Sequence, residues 1–282
     1  TQSMYMTEPG VEKMRTEAEG ILIIADGSTE IGAAVAAKAV EDGVGIVVFE
    51  QAGRPVCEAL RRMLAEDNNE SRIWKVDFTT ENGVREAADR FLALNLPVHG
   101  LFYNYVPDFP MIAASDMGPV QINAYMDEMV RVFRCTQLLA KEMEKHGAGS
   151  IVYLGSIHDE KPFGNAAHSM YMGGLKNLSR EAAICYGAGG LHCNLIELGA
   201  RGGEDETYRS AYSSFYEGYA YKIPSGYVGN AQDTARLALF LLARENRYIN
   251  GAEIRMDGGL ILHYLDPLAN EHAYKRWAVN RL

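Results

Sequence analysis

Residues 25–32, with the sequence ADGSTEIG, have the composition of a turn that binds phosphate. Glycines such as Gly27 and Gly32 let a backbone approach phosphate oxygens closely, and the start of the following helix favours negative charge. Asp26 and Glu30, however, bring two carboxylates into the same turn. A carboxylate about 4 Å from a phosphate oxygen costs roughly 4 kcal/mol at an effective dielectric constant near 20, on the order of a thousandfold in affinity. The turn therefore predicts a weakened or absent pyrophosphate site, with Asp26 and Glu30 in the anion position.

Other chemically active side chains give weaker patterns. His158, Asp159 and Glu160 are consecutive, so they point in different directions and predict a solvated loop and no metal site. Aromatic residues recur at helical spacing in residues 200–228 and predict one aromatic face. These are Tyr208, Tyr212, Phe215, Tyr216 and Tyr219.

Composition restricts the class of protein. The 282 residues are 48% hydrophobic and 23% charged, as in a soluble protein with a sizeable core. The net charge of −10 argues against nucleic acid or an anionic membrane as partner. Four cysteines are scattered without a C-x-x-C pair, which is typical of a reducing compartment. No basic start with a long apolar run is present, so we expect a cytoplasmic protein with no signal peptide or membrane span.

Short β-rich runs alternate with helical patterns along the chain. Strands that are apolar on both faces and alternate with helices predict a parallel sheet covered on both sides. We therefore expect an α/β fold: a single doubly wound, Rossmann-type domain with a seven-stranded, mostly parallel sheet. The predicted strands are residues 21–25, 45–49, 72–76, 98–103, 150–154, 191–196 and 252–256.

The predicted domain covers residues 20–262, with an insertion at about 200–228. Residues 1–19 are polar and are predicted to be an N-terminal arm. Residues 263–282 are predicted to form a C-terminal tail helix, in which Asp266 is the cap and a proline follows at the first helical position.

Several segments in the right order resemble the short-chain dehydrogenase/reductase family over roughly residues 20–260. The strongest is RYINGAEIRMDGGL (247–260), which is similar to the last strand of the family and its D-G-G ending. SIVYLGS (150–156) is similar to the serine-bearing strand, and GGLKNLSREAA (173–183) to the helix after the catalytic tyrosine. The resemblance implies the fold, and function must be argued from the site.

The resemblance also assigns cofactor positions. In the turn, which the family writes T-G-x-x-x-G-x-G, only Gly32 matches in register, with Gly27 and Ile31 beside it. The adenosine half is better preserved. Glu50 ends the second strand, where a carboxylate binds ribose hydroxyls and disfavours a 2′-phosphate. Asp77 matches the position that contacts adenine, and Asn104 matches one asparagine of the N-N-A-G motif. The implied cofactor is none or weakly bound NAD(H), with NADP disfavoured.

The catalytic positions depart further from the family, which uses Ser, Tyr, Lys and Asn. Aligning on GGLKNLSR keeps Ser156, places His168 at the tyrosine and Met172 at the lysine, and places Glu128 at the asparagine. Methionine cannot lower the pKa of a phenol or relay protons. Tyr171 lies three residues after His168, close to the same helix face.

Three functions remain open on these residues. The favoured one is a catalytically silent subunit or a binding protein. The second is a non-redox acid–base enzyme that uses Ser156, His168 and Glu128. The third is an NAD-dependent oxidoreductase in which His168 replaces the tyrosine, supported by Ser156 and Tyr171.

The expected partners follow from the family pattern. Its members often assemble through two long helices, here about 120–146 and 165–187, so we expect a homo-oligomer or a hetero-oligomer with an active homologue. In the family the insertion folds over the substrate, so its aromatic face suggests a lid over an apolar or aromatic ligand. Tyr103 and Tyr105 are candidates for the opposite wall. Packing of the lid against the body, or a subunit contact, explains the same stripe.

Overall fold

The computed structural model of the chain describes residues 20–50, 54–66, 72–94, 96–105, 114–162, 164–199 and 223–262. Its strands are β1 (Ile21–Ile24), β2 (Ile46–Glu50), β3 (Arg72–Lys75), β4 (Val98–Tyr103), β5 (Gly149–Ser156), β6 (Leu191–Leu198) and β7 (Glu253–Met256). They form one parallel sheet in the order β3-β2-β1-β4-β5-β6-β7. The seven predicted strands and the doubly wound α/β fold are confirmed.

Helices connect the strands and cover both faces of the sheet. In the described residues they are α1 (Glu30–Glu41), α2 (Glu58–Glu66), α3 (Glu81–Leu94), α4 (Pro119–Glu144), α5 (Ala166–Gly187) and α6 (Ala231–Leu242). Side-chain caps fix where two of them begin. Thr29 Oγ1 accepts a hydrogen bond from the Gly32 amide at α1, and the Asn165 side chain accepts one from the His168 amide at α5. Pro119 opens α4, where the missing N–H costs nothing.

The core is divided by the sheet into two layers. Successive residues of a strand point to opposite faces, so Ile21 and Ile23 pack with α3, α4 and α5, whereas Leu22 and Ile24 pack with α1, α2 and α6. Burial on both sides explains why these strands read as continuous apolar runs.

The sheet places a crevice at its carboxyl edge. β1 pairs with β2 on one side and with β4 on the other, and the connections after β1 and β4 leave toward opposite faces. In such sheets ligands bind where the strand order reverses, outside the carboxyl ends of the strands. The turn after β1 and the residues after β2 and β4 line this point.

Several predicted segments lie outside the described residues. They are the arm 1–19, most of the insertion (200–222) with its aromatic stripe, and the tail 263–282. The predicted domain boundaries therefore stay predictions.

Candidate active site and cofactor crevice

The turn between β1 and α1 directs Asp26 inward. Its side chain is fully buried, and Oδ1 accepts hydrogen bonds from the Ser28 amide at 2.9 Å and from Ser28 Oγ at 2.6 Å. Amides of such a turn are the groups that would otherwise face a phosphate. Glu30 is half-buried at the first position of α1, where the helix dipole favours its charge.

The other predicted residues of the turn serve packing. A Cβ on Gly32 would lie 1.9 Å from the Asp26 carbonyl oxygen, and one on Gly27 would lie 2.3 Å from Val48 Cγ1. Ile31 is buried in the core against α6 and the sheet. Glycine is therefore needed at both positions for the turn to close on the sheet.

Asn104 ties the turn to the end of β4. Its Oδ1 accepts from the Asp26 amide at 3.0 Å, and its Nδ2 donates to the Asp26 carbonyl at 2.7 Å and to Thr29 Oγ1 at 2.9 Å. The amide group thus holds two strand ends together across the crevice.

Glu50 and Asp77, which are predicted to contact adenosine, form hydrogen bonds within the protein. The Val56 amide donates to the Glu50 carboxylate, which also pairs with Arg61 and, at 3.6 Å, with Lys75. The Val56 hydrogen bond, followed by Arg61, lowers the pKa of Glu50. Asp77 accepts from the amide and hydroxyl of Thr79, and the hydroxyl bond lowers the pKa of Asp77.

A chain of contacts crosses the crevice from the β1 turn to α4. Arg54, which follows β2, has Nη1 3.6 Å from Asp26 Oδ2, and its guanidinium carbon lies 5.1 Å from the centre of the Tyr105 ring. Arg131 of α4 lies 5.0 Å from the same ring centre. The guanidinium of Arg131 pairs with Glu128, to which the Tyr103 hydroxyl also donates. We call this set the crevice bridge: Asp26, Arg54, Tyr105, Arg131, Glu128 and Tyr103.

The crevice bridge takes Glu128 out of the predicted acid–base set. Its side chain is fully buried, and its carboxylate bonds to Tyr103 and Arg131. Burial raises the pKa of Glu128 to about 7, although Arg131 and Tyr103 act in the opposite direction. Sequence reasoning missed Arg54 and Arg131, since neither belongs to a motif and the ring of Tyr105, which both contact, lies just after another element, β4.

Tyr171 also joins this side of the site. Its hydroxyl donates to the Tyr105 carbonyl at 3.2 Å, and burial raises the pKa of Tyr171 well above its usual value. The ring of Tyr125 packs against both Tyr171 and His168, with centroids 5.9 and 6.1 Å away. The predicted role of Tyr171 as direct support for His168 is therefore replaced by contact through Tyr125.

Ser156, His158 and His168 lie close together at the end of β5. Ser156 Oγ lies 2.8 Å from His158 Nδ1, and the same nitrogen lies 3.4 Å from His168 Nε2. The prediction that His158 stands in a solvated loop is wrong, because residues 157–159 form a 3₁₀ turn, capped by Ser156, that folds back toward α5. Burial and the neighbouring His168 lower the pKa of His158 to about 4, and burial also lowers the pKa of His168. Both imidazoles are neutral at pH 7.

Met172, which the resemblance places at the family lysine position, has apolar surroundings. Met172 is buried in the core beneath the first turns of α5. It supplies neither a charge nor a proton to this group.

Lys176, one turn further along α5, is held by four carboxylates. Its Nζ lies 2.7–3.2 Å from Glu197, Asp159, Glu160 and Glu253. Burial disfavours the charged amine, but hydrogen bonds to these carboxylates raise the pKa of Lys176 above its usual value. Oxygens of Asp159, Glu160 and Glu197 lie within 4.8 Å of one another. The ammonium group of Lys176 and the guanidinium of Arg255, which pairs with Glu160 and Glu197, oppose most of that charge, so these residues secure the 3₁₀ turn.

Comparison with known proteins identifies the family. A family model described as enoyl-(acyl carrier protein) reductase matches residues 26–261. The chain belongs to the short-chain dehydrogenase/reductase family, and its relatives are oxidoreductases.

Two relatives show how little sequence identity the chain shares with other members of the family. An uncharacterized short-chain type dehydrogenase/reductase of Sinorhizobium fredii is 29% identical over 276 residues, which are 90% of this chain and 46% of that protein. The chain thus spans about half the length of that relative. L-rhamnose-1-dehydrogenase of Scheffersomyces stipitis is 27% identical over 258 residues, or 86% of this chain and 96% of the enzyme.

Solved structures share the fold at lower identity. A short chain oxidoreductase of Pseudomonas aeruginosa, described as NADPH-bound with an atypical catalytic center, has a TM-score of 0.74 at 22% identity and covers 86% of this chain and 96% of its own. ElxO with NADP bound has a TM-score of 0.76 at 19% identity and covers 86% of this chain and 99% of its own. The prediction that NADP is disfavoured, which rested on Glu50, stays a prediction. The Glu50 carboxylate is paired with Arg61 and Lys75.

In the described ranges, no helix is both long enough and apolar enough to cross a bilayer.

Proposed function

We propose that this chain does not by itself carry out the dinucleotide-dependent hydride transfer of its family, and that it acts as a silent subunit or as a binding protein for an apolar or aromatic small molecule. The observation that carries the proposal is the crevice bridge. Dinucleotides bind at the point where the strand order reverses. Here side chains of the protein itself span that point from Asp26 to Glu128.

The energetics of the turn support a loss of pyrophosphate binding. A phosphate entering there meets the Asp26 carboxylate, and the hydrogen bonds of Asp26 to Ser28 occupy part of the turn that would contact it. Displacing Asp26 would also separate its charge from Arg54, its partner in a buried setting. The cofactor must therefore compete with interactions that already satisfy the turn.

The catalytic positions support the same conclusion. Hydride transfer in this family requires a proton donor or acceptor whose pKa is lowered by lysine, and Met172 cannot supply that effect. Tyr171 cannot replace the missing tyrosine, because burial raises its pKa and its hydroxyl is bound to the Tyr105 carbonyl.

An apolar face on α4 favours assembly with another subunit. Its exposed apolar side chains recur at helical spacing, and Ile184 of α5, which packs beside α4, is also exposed. The α4 residues are Ile122, Met126, Val130 and Phe133. Either a second copy of the chain or an active homologue is expected to cover this face, and measurement of the mass of the purified protein in solution tests it.

Calorimetric titration with NAD, NADH and NADPH tests the proposal, with a catalytically competent family member as the positive control. We expect no binding heat at millimolar cofactor. Micromolar binding would overturn the proposal and favour the NAD(P)(H)-dependent oxidoreductase in which His168 replaces tyrosine. Turnover assays on His168→Ala and Ser156→Ala would then follow.

A second candidate function is non-redox acid–base chemistry. It is favoured by the contacts that join Ser156, His158 and His168 at the end of β5. This set replaces the predicted one, because His158 takes the place of Glu128. Turnover of a carbonyl substrate without added cofactor, lost in His168→Ala, is the outcome that would support it.

A further inference from the structure

Two histidine nitrogens converge at the end of β5. Nδ1 of His158 and Nε2 of His168 lie 3.4 Å apart, and Ser156 Oγ lies 2.8 Å from the first of them. When a tetrahedral ion is bound by two imidazoles with bonds of 2.0–2.1 Å, the two nitrogens stand about 3.4 Å apart. The spacing in this protein equals that of two ligands of one metal ion.

The two rings are carried by elements that are fixed against each other, since Lys176, which holds the turn of His158, belongs to α5, the helix of His168. His158 lies in the 3₁₀ turn, whose Asp159 and Glu160 pair with Lys176. His168 lies in the first turn of α5, where its amide is bound by the Asn165 side chain at 3.0 Å. Such supports reduce the rearrangement that a metal ion must impose on its ligands.

We propose that His158 and His168, with Ser156 beside them, bind a divalent transition-metal ion of the class that prefers imidazole, such as Zn²⁺. Imidazole nitrogens suit zinc, copper and nickel, whereas magnesium and calcium prefer carboxylate and carbonyl oxygens. Both rings are half-buried, which leaves room for water or a substrate oxygen to complete the coordination. The proposal is independent of whether a dinucleotide binds in the crevice.

The chain offers other zinc ligands that the experiment must remove. Cys57 and Cys185 are exposed free thiols, and thiolates bind Zn²⁺ strongly. The test protein is therefore the full chain with Cys57→Ser and Cys185→Ser, treated with chelator and then dialysed. His146→Ala is the matched control, since His146 is exposed just beyond the end of α4.

Titration with Zn²⁺ alone, by calorimetry at pH 7.5, is expected to give one site per chain with micromolar affinity. His158→Ala and His168→Ala should each weaken binding by at least about tenfold, and His146→Ala should leave it unchanged. The spectrum of Co²⁺ in the same protein should show tetrahedral coordination that is lost in both histidine variants. Circular dichroism, together with His158→Gln and His168→Gln, separates loss of a ligand from loss of the fold.

Two results would overturn the proposal. One is the absence of saturable Zn²⁺ binding in the folded protein that carries Cys57→Ser and Cys185→Ser. The other is binding whose affinity and Co²⁺ spectrum are the same after both histidines are replaced.

Discussion

The crevice and the end of β5 differ in how their unusual side chains are compensated. In the crevice two of the introduced carboxylates have a cation beside them, since Asp26 faces Arg54 and Glu128 pairs with Arg131. At the end of β5, Ser156 and the two histidines are joined by hydrogen bonds between neutral groups, and their side chains are half-buried.

This difference distinguishes side chains that stabilise the fold from side chains that can bind a ligand or transfer a proton. A buried charge is costly unless a partner remains beside it, so the members of the crevice bridge depend on one another for stability. Neutral, partly exposed imidazoles lose little free energy when they exchange one hydrogen-bond partner for another. The crevice has therefore become part of the scaffold, whereas the end of β5 keeps groups that can bind a ligand or move a proton.

The largest effect that tests this comparison is expected in the β1 turn. Asp26→Gly combined with Glu30→Gly should improve NADPH or NADH binding by up to a thousandfold, from removal of roughly 4 kcal/mol of like-charge repulsion. Calorimetry measures the change. Glu41→Gln removes a carboxylate from the other end of α1 and should leave cofactor binding as it is. If the glycine variant binds no better than the native chain, the carboxylates are not what closes the crevice.

The next effect concerns the stability of the crevice bridge. Arg131→Met leaves Glu128 buried without its guanidinium and should lower the free energy of unfolding by about 3–4 kcal/mol. Urea denaturation measures the loss, and adding Glu128→Gln to the same chain should restore most of it. Arg134→Met is the matched control on the same helix. Glu81, the partner of Arg134, has a side chain that is 85% exposed, so that pair contributes less than about 1 kcal/mol. Equal losses in the two single variants would contradict a structural role for the bridge.

A smaller effect is expected in the pH dependence of stability. The pKa of Glu128 is about 7 in the folded chain and 4.5 in the unfolded one, so the folded state binds the proton more tightly. Its contribution to the free energy of unfolding is therefore complete below pH 4.5 and is lost as the pH rises through 7, by at most about 3.4 kcal/mol at 1.36 kcal/mol per pKa unit. Glu128→Gln should remove this fall, whereas Asp127→Asn, at the exposed neighbouring residue, should retain it. Parallel pH profiles for the native chain and Glu128→Gln would show that Glu128 does not titrate in this range.

The smallest effect is expected at the end of β5. His158→Ala removes partly buried hydrogen bonds and should cost about 1 kcal/mol or less in urea denaturation. The pKa of His158 is lowered to about 4. Its contribution to the free energy of unfolding is therefore present above pH 6.5 and is lost as the pH falls toward 4. The variant should accordingly be less sensitive to acid than the native chain. A cost as large as that of Arg131→Met would remove the distinction between the two regions.

Much of the architecture was predictable from local patterns. The apolar runs identified all seven strands, and their alternation with helices identified the doubly wound sheet. The carboxylates of Asp26 and Glu30 were recognised in the turn, and Ser156 and His168 were placed near each other by resemblance to the family. These features depend on residues close in the chain, or on a motif whose order is fixed, so sequence order carries them.

The partners of those residues were decided by the tertiary structure. Tyr103 and Glu128 are 25 residues apart, and Asn104 is 78 residues from the turn that it holds. Arg54 and Arg131 meet at one ring because β2 and β4 end at the same edge of the sheet and α4 packs against β4.

The sequence by itself determined the fold, because strand and helix periodicity are local properties. Through the family resemblance it also predicted that His168 and Met172 stand at the positions of the catalytic tyrosine and lysine. Only the tertiary structure decided that Glu128 accepts a hydrogen bond from Tyr103 and that His158, rather than Glu128, stands beside Ser156 and His168. The physical reason is that a buried carboxylate is stable only beside a cation or a hydrogen-bond donor, and packing of the elements determines which such group lies within reach.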